Sequence, residues 1–477
     1  MDLFRRWFVY AHPRVGDYQG RDGMTVKTEV LILGGGLAGL STAYHLDQLG
    51  KKGRYLIIEK REKVGGRAGS EKKDGFLFDH TGHLLHLHDP YGKKLITNLL
   101  RGNLTSHERS TWIHSHGVDT RYPFQANTFG LPPKVIAECV AGFLQNKRRP
   151  RALSKHPSFG EWVDKTFGSG IERHFMKPYN EKLWRTPLKG MTTEWQGRFL
   201  PSPKAEEVLY GALTDQKKFF GYNAFFRYPT KGGTQALPDA LASRIDSKKL
   251  SLNSRATHID LREKVALIEG LGEVRYERLV NTLPLNEFLD IATPLSGAVK
   301  AARRRLRWVS VHNLNVGVDR ARISDKHWIY FPEKKYPFYR VGFPTNFSRS
   351  VGPRGTSSMY IEISRDPKQR VDYRALAKAS LAGLRECGVL KRSDRILTSL
   401  WIPIECAYVV YDQARTASVH TIMKALAGRG VRSIGRWGGW KYSFMEETIL
   451  DGKRCAERLL GRRVLESDSR APLQSLK

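Results

Sequence analysis

Six consecutive residues, Gly34-Gly35-Gly36-Leu37-Ala38-Gly39, are of the types that could hold a phosphate group. Gly34 permits a tight turn, Gly36 lets the backbone approach a pyrophosphate, and Gly39 allows a helix to pack closely on a strand. The unpaired amides at the start of that helix would donate to the phosphates. Glu59, placed after the next apolar segment, would accept a hydrogen bond from a ribose hydroxyl. These residues predict a dinucleotide site rather than a glycine-rich turn without a ligand.

The elements around the glycines follow the order that such a site requires. Residues 28–33 end in an apolar run typical of a buried strand, and residues 37–49 have a helical pattern that Gly50 is placed to end. Residues 54–58 predict a second strand, which leads directly into Glu59. The strand–helix–strand order predicts an α/β fold with a Rossmann-like domain.

The residues after Glu59 indicate which dinucleotide binds. This segment contains Gly65-Gly66-Arg67 and resembles the stretch that follows the ribose acid in flavoproteins of the amine oxidase and protoporphyrinogen oxidase type. In that group the glycine–arginine turn places the arginine on FAD. The resemblance therefore implies FAD, contacted by Gly66 and Arg67, rather than a nicotinamide dinucleotide as the cofactor.

Beyond residue 84 the simple alternation of strand and helix ends. Helical patterns come first, strand patterns return from residue 251, and residues 433–460 predict a strand, a glycine turn and a helix. We therefore predict a Rossmann-like FAD-binding domain with a helical insertion and an additional substrate-side β-sheet layer. The predicted parts are an N-terminal extension (1–23), a discontinuous FAD-binding domain (24–100, 226–300 and 405–465), a mainly helical substrate-side insertion (101–225), a β-sheet substrate layer (301–404) and a C-terminal tail (466–477).

Several segments resemble the UDP-galactopyranose mutase family, above all its eukaryotic-type branch. Residues 178–184 are similar to the mutase helix that carries a Tyr-Asn-x-Lys-x-Trp pattern, and residues 330–340 resemble the segment whose tyrosine and arginine hold the substrate diphosphate. Arginine can donate two parallel charge-assisted hydrogen bonds to a phosphate, and tyrosine hydroxyls add donors without adding charge. The resemblance implies a nucleotide-sugar substrate in contact with Arg198, Tyr330, Arg340, Tyr408 and Tyr442.

A turn that contains a histidine resembles the mutase turn beside the flavin. Residues 78–83 carry this similarity, which implies Gly82 as a cofactor contact and His83 as the catalytic candidate next to flavin N5. Thr81 stands where that family has a glycine, so the backbone of this turn has less freedom.

The C-terminal unit is implied to face the same cofactor. Gly435 and Arg436 precede a helix that we expect to begin near Met445. The resemblance places the positive end of this helix at the flavin pyrimidine edge. A helix N-terminus there would favour the negative charge of the reduced flavin.

Three functions are compatible with these patterns. The first is a sugar-nucleotide mutase in which, by family resemblance, reduced FAD is the nucleophile that converts a nucleoside-diphosphate hexopyranose to its furanose form. The second is an FAD-dependent oxidoreductase of the protoporphyrinogen oxidase or amine oxidase type, which consumes an electron acceptor. The third is a non-catalytic FAD-binding protein at a membrane surface. We favour the mutase, because Arg198 and Arg340 match diphosphate contacts that an oxidase does not need.

The charge of the chain limits the classes of partner that it could bind. The 477 residues contain 80 Lys and Arg against 47 Asp and Glu, which gives a net charge of +33. The basic runs at 147–151 and 303–307 lack interleaved aromatic residues, and this disfavours a specific nucleic-acid site. Peripheral contact with an anionic membrane and a reductant such as NAD(P)H are both left open.

The cysteines and the apolar runs suggest the compartment. Cys139, Cys387, Cys406 and Cys455 lie far apart and show no metal-ligand spacing, so we expect no metal site and no disulfide framework. No apolar run approaches the roughly 20 residues that span a bilayer. These features predict a cytoplasmic location.

Overall fold

A computed structural model describes residues 26–197, 200–221 and 223–461. Arg198, the predicted extension (1–23) and the predicted tail (466–477) lie outside the described residues. The strands are β1 (Val26–Leu33), β2 (Tyr55–Ile58), β3 (Ser70–Lys73), β4 (Phe76–Asp79), β5 (Thr105–Glu108), β6 (Thr111–Ser115), β7 (Val118–Arg121), β8 (Phe225–Tyr228), β9 (Leu250–Ser251), β10 (Ala256–Asp260), β11 (Val265–Ile268), β12 (Gly272–Asn281), β13 (Ala292–Thr293), β14 (Trp308–Val318), β15 (Trp328–Tyr330), β16 (Arg340–Gly342), β17 (Ser357–Arg365), β18 (Ile396–Val409) and β19 (Val431–Ser433). The α-helices are α1 (Leu37–Gln48), α2 (Pro90–Leu100), α3 (Pro133–Arg148), α4 (Phe159–Ile171), α5 (Lys177–Trp184), α6 (Ala205–Leu213), α7 (Ala236–Ala242), α8 (Leu285–Ile291), α9 (Gly297–Arg305), α10 (Tyr373–Glu386), α11 (Gln413–Ala427), α12 (Gly435–Gly438) and α13 (Met445–Leu459).

An eight-stranded sheet carries the glycine motif. Its strands follow the order β13-β10-β11-β12-β1-β2-β9, and β19 also pairs with β12. β1 lies parallel between β2 and β12, and Leu31, Ile32 and Leu33 are all buried, as expected for a parallel strand covered on both faces. α1 and α13 pack side by side against this sheet, so closely that a Cβ on Gly452 would lie 2.6 Å from the Cβ of Ser41.

A seven-stranded sheet brings residues from distant segments into one row. Its strands follow the order β18-β14-β17-β16-β15-β6-β7. In the antiparallel pair β15 and β16, Tyr330 stands opposite Arg340, and in the pair β16 and β17, Arg340 stands opposite Glu362. Three polar side chains are therefore neighbours across three strands.

The helices α3 to α6 form a helical layer around an aromatic core. Phe143, Phe159 and Phe167 are buried in it. α3 and α4 approach each other at Gly168, where φ is +83° and a Cβ would lie 2.3 Å from the carbonyl carbon of Gly142. Only glycine fits this crossing, because other residues add both strain and a clash.

Most predicted elements agree with the structure to within a few residues, and the helix expected near Met445 begins at that residue. Two features differ from the expected organisation. The segment 101–225, predicted to be mainly helical, also contains β5, β6 and β7, and β6 joins the second sheet by pairing with β15. The expected boundary at 405 lies inside β18, because this strand of 14 residues pairs along β14. The division into domains stays a prediction.

Among the helices of the described residues, none combines the length and the apolar character that crossing a membrane requires.

Candidate active site

A cavity of about 670 Å³ connects the glycine motif with the row on the second sheet. On what we call its glycine side, the lining includes Gly34, Gly36, Glu59, Gly66 and Arg67. On what we call its tyrosine side, the lining includes Tyr122, Tyr179, Tyr330, Tyr408 and Tyr442, together with Arg109 and Arg340. His83 and the start of α13 also face this cavity.

The glycine turn has the geometry of a phosphate cradle. Gly34 has a φ of +103°, and a Cβ there would lie 2.4 Å from Thr282 Oγ1. A Cβ on Gly39 would lie 2.0 Å from the Gly34 carbonyl oxygen, so this position has no room for a side chain. A Cβ on Gly36 would meet only the Gly66 Cα, at 3.8 Å. The space in front of Gly36 therefore belongs to the cavity, and no side chain caps the helix start that faces it.

Glu59 is held in place by two backbone amides. Its Oε2 accepts from the Gly35 amide at 2.8 Å and its Oε1 accepts from the Arg61 amide at 3.0 Å. A carboxylate can accept about four hydrogen bonds, so both oxygens retain a lone pair for a ribose hydroxyl. The predicted acceptor is thus present, oriented and on the cavity wall.

Arg67 brings a half-buried positive charge to the glycine side. It follows Gly65 and Gly66, whose φ values of +120° and +56° form the turn. Burial lowers the pKa of the Arg67 guanidinium, and the nearby Arg61 lowers it further. No carboxylate of the described residues lies within 4.0 Å of it. A half-buried cation without an ion pair among the described residues fits an anionic ligand in the cavity.

The turn that carries His83 is fixed by its neighbours. Thr81 Oγ1 and His83 Nδ1 lie 3.0 Å apart, so the threonine that replaces a family glycine orients the imidazole. A Cβ on Gly82 would lie 2.3 Å from the Tyr360 hydroxyl oxygen, which explains the glycine. Burial, with Arg436 nearby, lowers the pKa of His83 to about 3. The imidazole is therefore neutral at physiological pH.

Arg340 forms a two-pronged ion pair with Glu362. Its Nε and Nη2 each donate to one carboxylate oxygen at 2.7 Å, and the Glu362 side chain is fully buried. Burial disfavours the charge on Arg340, yet Glu362 raises the pKa of Arg340 above its ordinary value. Glu362 Oε1 also accepts from the Gly82 amide at 3.4 Å. The Glu362 carboxylate thus connects Arg340, the predicted diphosphate contact, with the His83 turn. Nη1 of Arg340 makes no hydrogen bond with Glu362.

The tyrosines lie in contact with one another, and Tyr408 and Tyr442 stay protonated. The ring of Tyr330 lies 5.1 Å from that of Tyr179 and 5.6 Å from that of Tyr122, and the rings of Tyr408 and Tyr442 stack at 6.4 Å. Burial raises the pKa of Tyr442 to about 12 and that of Tyr408 above its ordinary value. Their hydroxyls are therefore hydrogen-bond donors at neutral pH.

The C-terminal unit closes the cavity between its two sides. Gly435, with φ of +79°, would place a Cβ 2.9 Å from the Cβ of Ala38 on α1. The guanidinium of Arg436 lies 4.5 Å from the ring of Tyr442 and donates to the Ser443 carbonyl at 2.8 Å. α13 then begins at Met445 on the cavity wall. This placement agrees with a helix N-terminus directed at a cofactor.

A family model described as "Flavin containing amine oxidoreductase" matches residues 37–460. The chain belongs to this family. It is therefore a flavoenzyme, and the family membership supports FAD as its cofactor. The chain is 21% identical over 416 residues to "Protoporphyrinogen oxidase 1, chloroplastic" of Arabidopsis thaliana, a match that covers 82% of the chain and 76% of that protein.

Solved structures show the same fold for this flavoenzyme. A crystal structure of reduced UDP-galactopyranose mutase superposes with a TM-score of 0.86 and 26% identity, covering 91% of this chain and 94% of that one. A putative protoporphyrinogen oxidase from Exiguobacterium superposes with a TM-score of 0.69 at 14% identity, covering 92% and 99%. The resemblance to the mutase within the amine oxidase-like group, inferred from sequence segments, is confirmed.

The structure of this flavoenzyme brings the predicted site residues to one cavity, apart from Arg198, which is not described, and Gly39, which packs behind it. Sequence reasoning missed Glu362 and Arg109. A usable signal for Glu362 was its position as a lone carboxylate in the apolar run Tyr360-Ile361-Glu362-Ile363. Arg109 had no comparable signal.

Among the described residues, no three His, Cys, Asp or Glu side chains are grouped so as to hold a metal ion.

Proposed function

We propose that this flavoenzyme is a sugar-nucleotide mutase, which converts a nucleoside-diphosphate hexopyranose to its furanose form and requires FAD in the reduced state. The observation that carries the proposal is the row of Tyr330, Arg340 and Glu362, which lies next to the His83 turn in the cavity of the glycine motif. The similarity to reduced UDP-galactopyranose mutase supports it.

The glycine side and the C-terminal unit would hold the cofactor. Gly34 and Gly36 would receive its pyrophosphate at the start of α1, Glu59 its ribose, and Gly66 with Arg67 the segment between ribose and flavin. Gly82, Gly435, Arg436 and Met445 would surround the flavin ring. Bound and reduced, FAD supplies the nucleophile for the anomeric carbon of the sugar.

The tyrosine side would bind the substrate and stabilise the leaving diphosphate. Arg340, oriented by Glu362, offers Nη1 to a phosphate oxygen, and the hydroxyls of Tyr330, Tyr408 and Tyr442 add uncharged donors. Neutral His83 lacks the proton of an imidazolium, so it does not add positive charge beside the flavin. The protein thus provides orientation and electrostatic stabilisation rather than a nucleophile of its own.

The relative that favours a second function is the chloroplast protoporphyrinogen oxidase, because it is similar over most of both chains. An oxidoreductase would start from oxidised flavin and consume one acceptor for each product. Tyr330 and Arg340 would then have a structural role only. The charge of Arg340 would serve to neutralise the buried Glu362.

An electron balance distinguishes the two functions. Purified protein is reduced chemically under anaerobic conditions, incubated with UDP-galactopyranose and other nucleotide sugars, and assayed for the furanose form and for flavin oxidation. We expect many products for each flavin with no net change in its redox state. Product formed only with oxidised flavin, in proportion to the acceptor consumed, would establish the oxidoreductase instead.

A further inference from the structure

Arg109 lies on the tyrosine side of the cavity in a fixed orientation. Its guanidinium carbon is 4.7 Å from the ring centroid of Tyr122, and its Nη2 donates to the Phe220 carbonyl at 3.1 Å. Its own amide donates to the Ala224 carbonyl at 3.0 Å. The Tyr122 ring in turn lies 5.6 Å from that of Tyr330. Arg109 is therefore one aromatic ring away from the row that contains Arg340.

The arginines on this side of the cavity differ in whether a carboxylate neutralises them. The ion pair of Arg340 with Glu362 has no net charge, so it supplies directional donors but little long-range attraction for an anion. No described carboxylate lies within 4.0 Å of Arg109, and its neighbour Glu108 is exposed on β5. Arg436 is likewise without an ion pair, but it lies against Tyr408 and Tyr442.

The acidic side chains of the cavity are elsewhere. Glu59, Glu287 and Asp290 line the glycine side, where Lys60, Arg61, Arg67 and Arg255 accompany them. Among the described residues, the charged side chains that line the tyrosine side are Arg340, which Glu362 neutralises, and Arg109 and Arg436, which have no ion pair. Arg436 lies against Tyr408 and Tyr442, whereas Arg109 lies against Tyr122, beside Tyr330. A doubly charged ligand placed beside Tyr122 and Tyr330 is attracted by Arg109 in addition to Arg436.

We propose that Arg109 is a substrate-binding residue that supplies an uncompensated positive charge for the diphosphate of the nucleotide sugar. This inference rests on the proposed mutase function and adds a residue that no recognised motif contains. Arg340 fixes the direction of the phosphate contact, and Arg109 adds net positive charge beside Tyr122 and Tyr330. The contacts with Tyr122 and Phe220 hold Arg109 before the ligand arrives, so little side-chain entropy is lost on binding.

The test measures binding rather than turnover. FAD-loaded, chemically reduced protein is titrated with UDP and with uridine at low and at high ionic strength. The variants are Arg109→Gln, which removes the charge, Arg109→Lys, which keeps it, and Arg121→Gln as a matched control. Arg121 also lies against an aromatic ring, that of Trp112, but it pairs with Asp215 and does not line the cavity. FAD content and melting temperature confirm that each variant is folded.

We expect Arg109→Gln to weaken UDP binding about 10- to 100-fold and to reduce its salt dependence, with uridine binding unchanged. Arg109→Lys should retain the salt dependence, and Arg121→Gln should match the wild type. Unchanged UDP affinity in Arg109→Gln, or equal salt dependence in Arg109→Gln and Arg109→Lys, overturns the role of Arg109 while the mutase proposal stands. If the wild type binds no UDP at either ionic strength, the mutase proposal fails and the role of Arg109 fails with it.

Discussion

The ion pair of Arg340 and Glu362 combines a proposed binding role with a structural cost. The Glu362 side chain is fully buried, and 19% of the Arg340 side chain is exposed. A buried carboxylate is tolerated because two charge-assisted hydrogen bonds and the Gly82 amide satisfy it. Removing either partner therefore affects the stability of the fold as well as the site.

We predict that Arg340→Ala weakens UDP binding roughly 10- to 100-fold and lowers the free energy of unfolding by about 3 kcal/mol, because Glu362 stays buried without its partner. FAD content should be retained, since Arg340 lies on the tyrosine side. The double variant Arg340→Met/Glu362→Leu should recover most of the free energy of unfolding but should not recover UDP binding. Chemical denaturation and UDP titration measure both effects. A double variant as unstable as Arg340→Ala would contradict this account.

α5 supports the strands that carry the proposed substrate contacts. Lys182 on α5 donates its ammonium to the carbonyls of Phe331 at 2.9 Å and Glu333 at 2.7 Å, directly after Tyr330. The lysine is thus bonded to the loop between β15 and β16 rather than to a ligand. The Tyr-Asn-x-Lys-x-Trp pattern reflects this support.

Lys182→Met should weaken UDP binding several-fold without loss of FAD, because the loop after Tyr330 loses two hydrogen bonds from the Lys182 side chain. The measurement is UDP titration of the reduced protein, with flavin absorbance for cofactor content. Lys177→Met on the same helix is the control, since Lys177 is exposed. Equal loss of affinity in both variants would show that α5 acts only through its overall charge.

The contact of α1 with α13 determines where both helix starts point. Gly452→Ala would place a Cβ 2.6 Å from the Ser41 Cβ and 2.8 Å from the Ala38 carbonyl oxygen. We expect it to separate the helices, to reduce stability by roughly 1–3 kcal/mol and to lower the FAD content. In the control Gly297→Ala, at the start of α9, the new Cβ would have no atom within 4 Å. This variant should leave the stability and the FAD content unchanged. Thermal unfolding and released flavin are the readouts, and full FAD retention in Gly452→Ala would refute the coupling.

The sequence predicted the elements whose signals are local and missed those that depend on pairing between distant segments. β1, α1 and β2 follow one another with clear apolar periodicity, so the glycine motif and Glu59 could be placed correctly. The opposition of Arg340 and Glu362 depends on the register of β16 against β17, which no short segment specifies. Arg109 reaches the cavity because its amide bonds to Ala224, another distant segment.

Acid should destabilise the whole chain through histidines that are buried in the neutral form. Burial lowers the pKa of His45, His312 and His327 to about 4 each. In the unfolded chain a histidine titrates near 6.5. The unfolded state therefore binds more protons between about pH 4 and pH 6.5, so stability rises with pH across this window and is lost as the pH falls.

We predict a lower free energy of unfolding at pH 5 than at pH 7, with each such histidine contributing up to about 2 kcal/mol of the difference. His45→Gln isolates one contribution, because His45 is buried on α1 with Nδ1 2.7 Å from the Ser41 carbonyl and Nε2 2.6 Å from the Tyr91 hydroxyl. Glutamine does not titrate, so the difference between the two pH values should shrink even if the variant is less stable at both. Urea unfolding at pH 7 and pH 5 measures it, with His156→Gln as the exposed control. The same pH difference in His45→Gln and in the wild type would show that protonation of His45 does not limit acid stability.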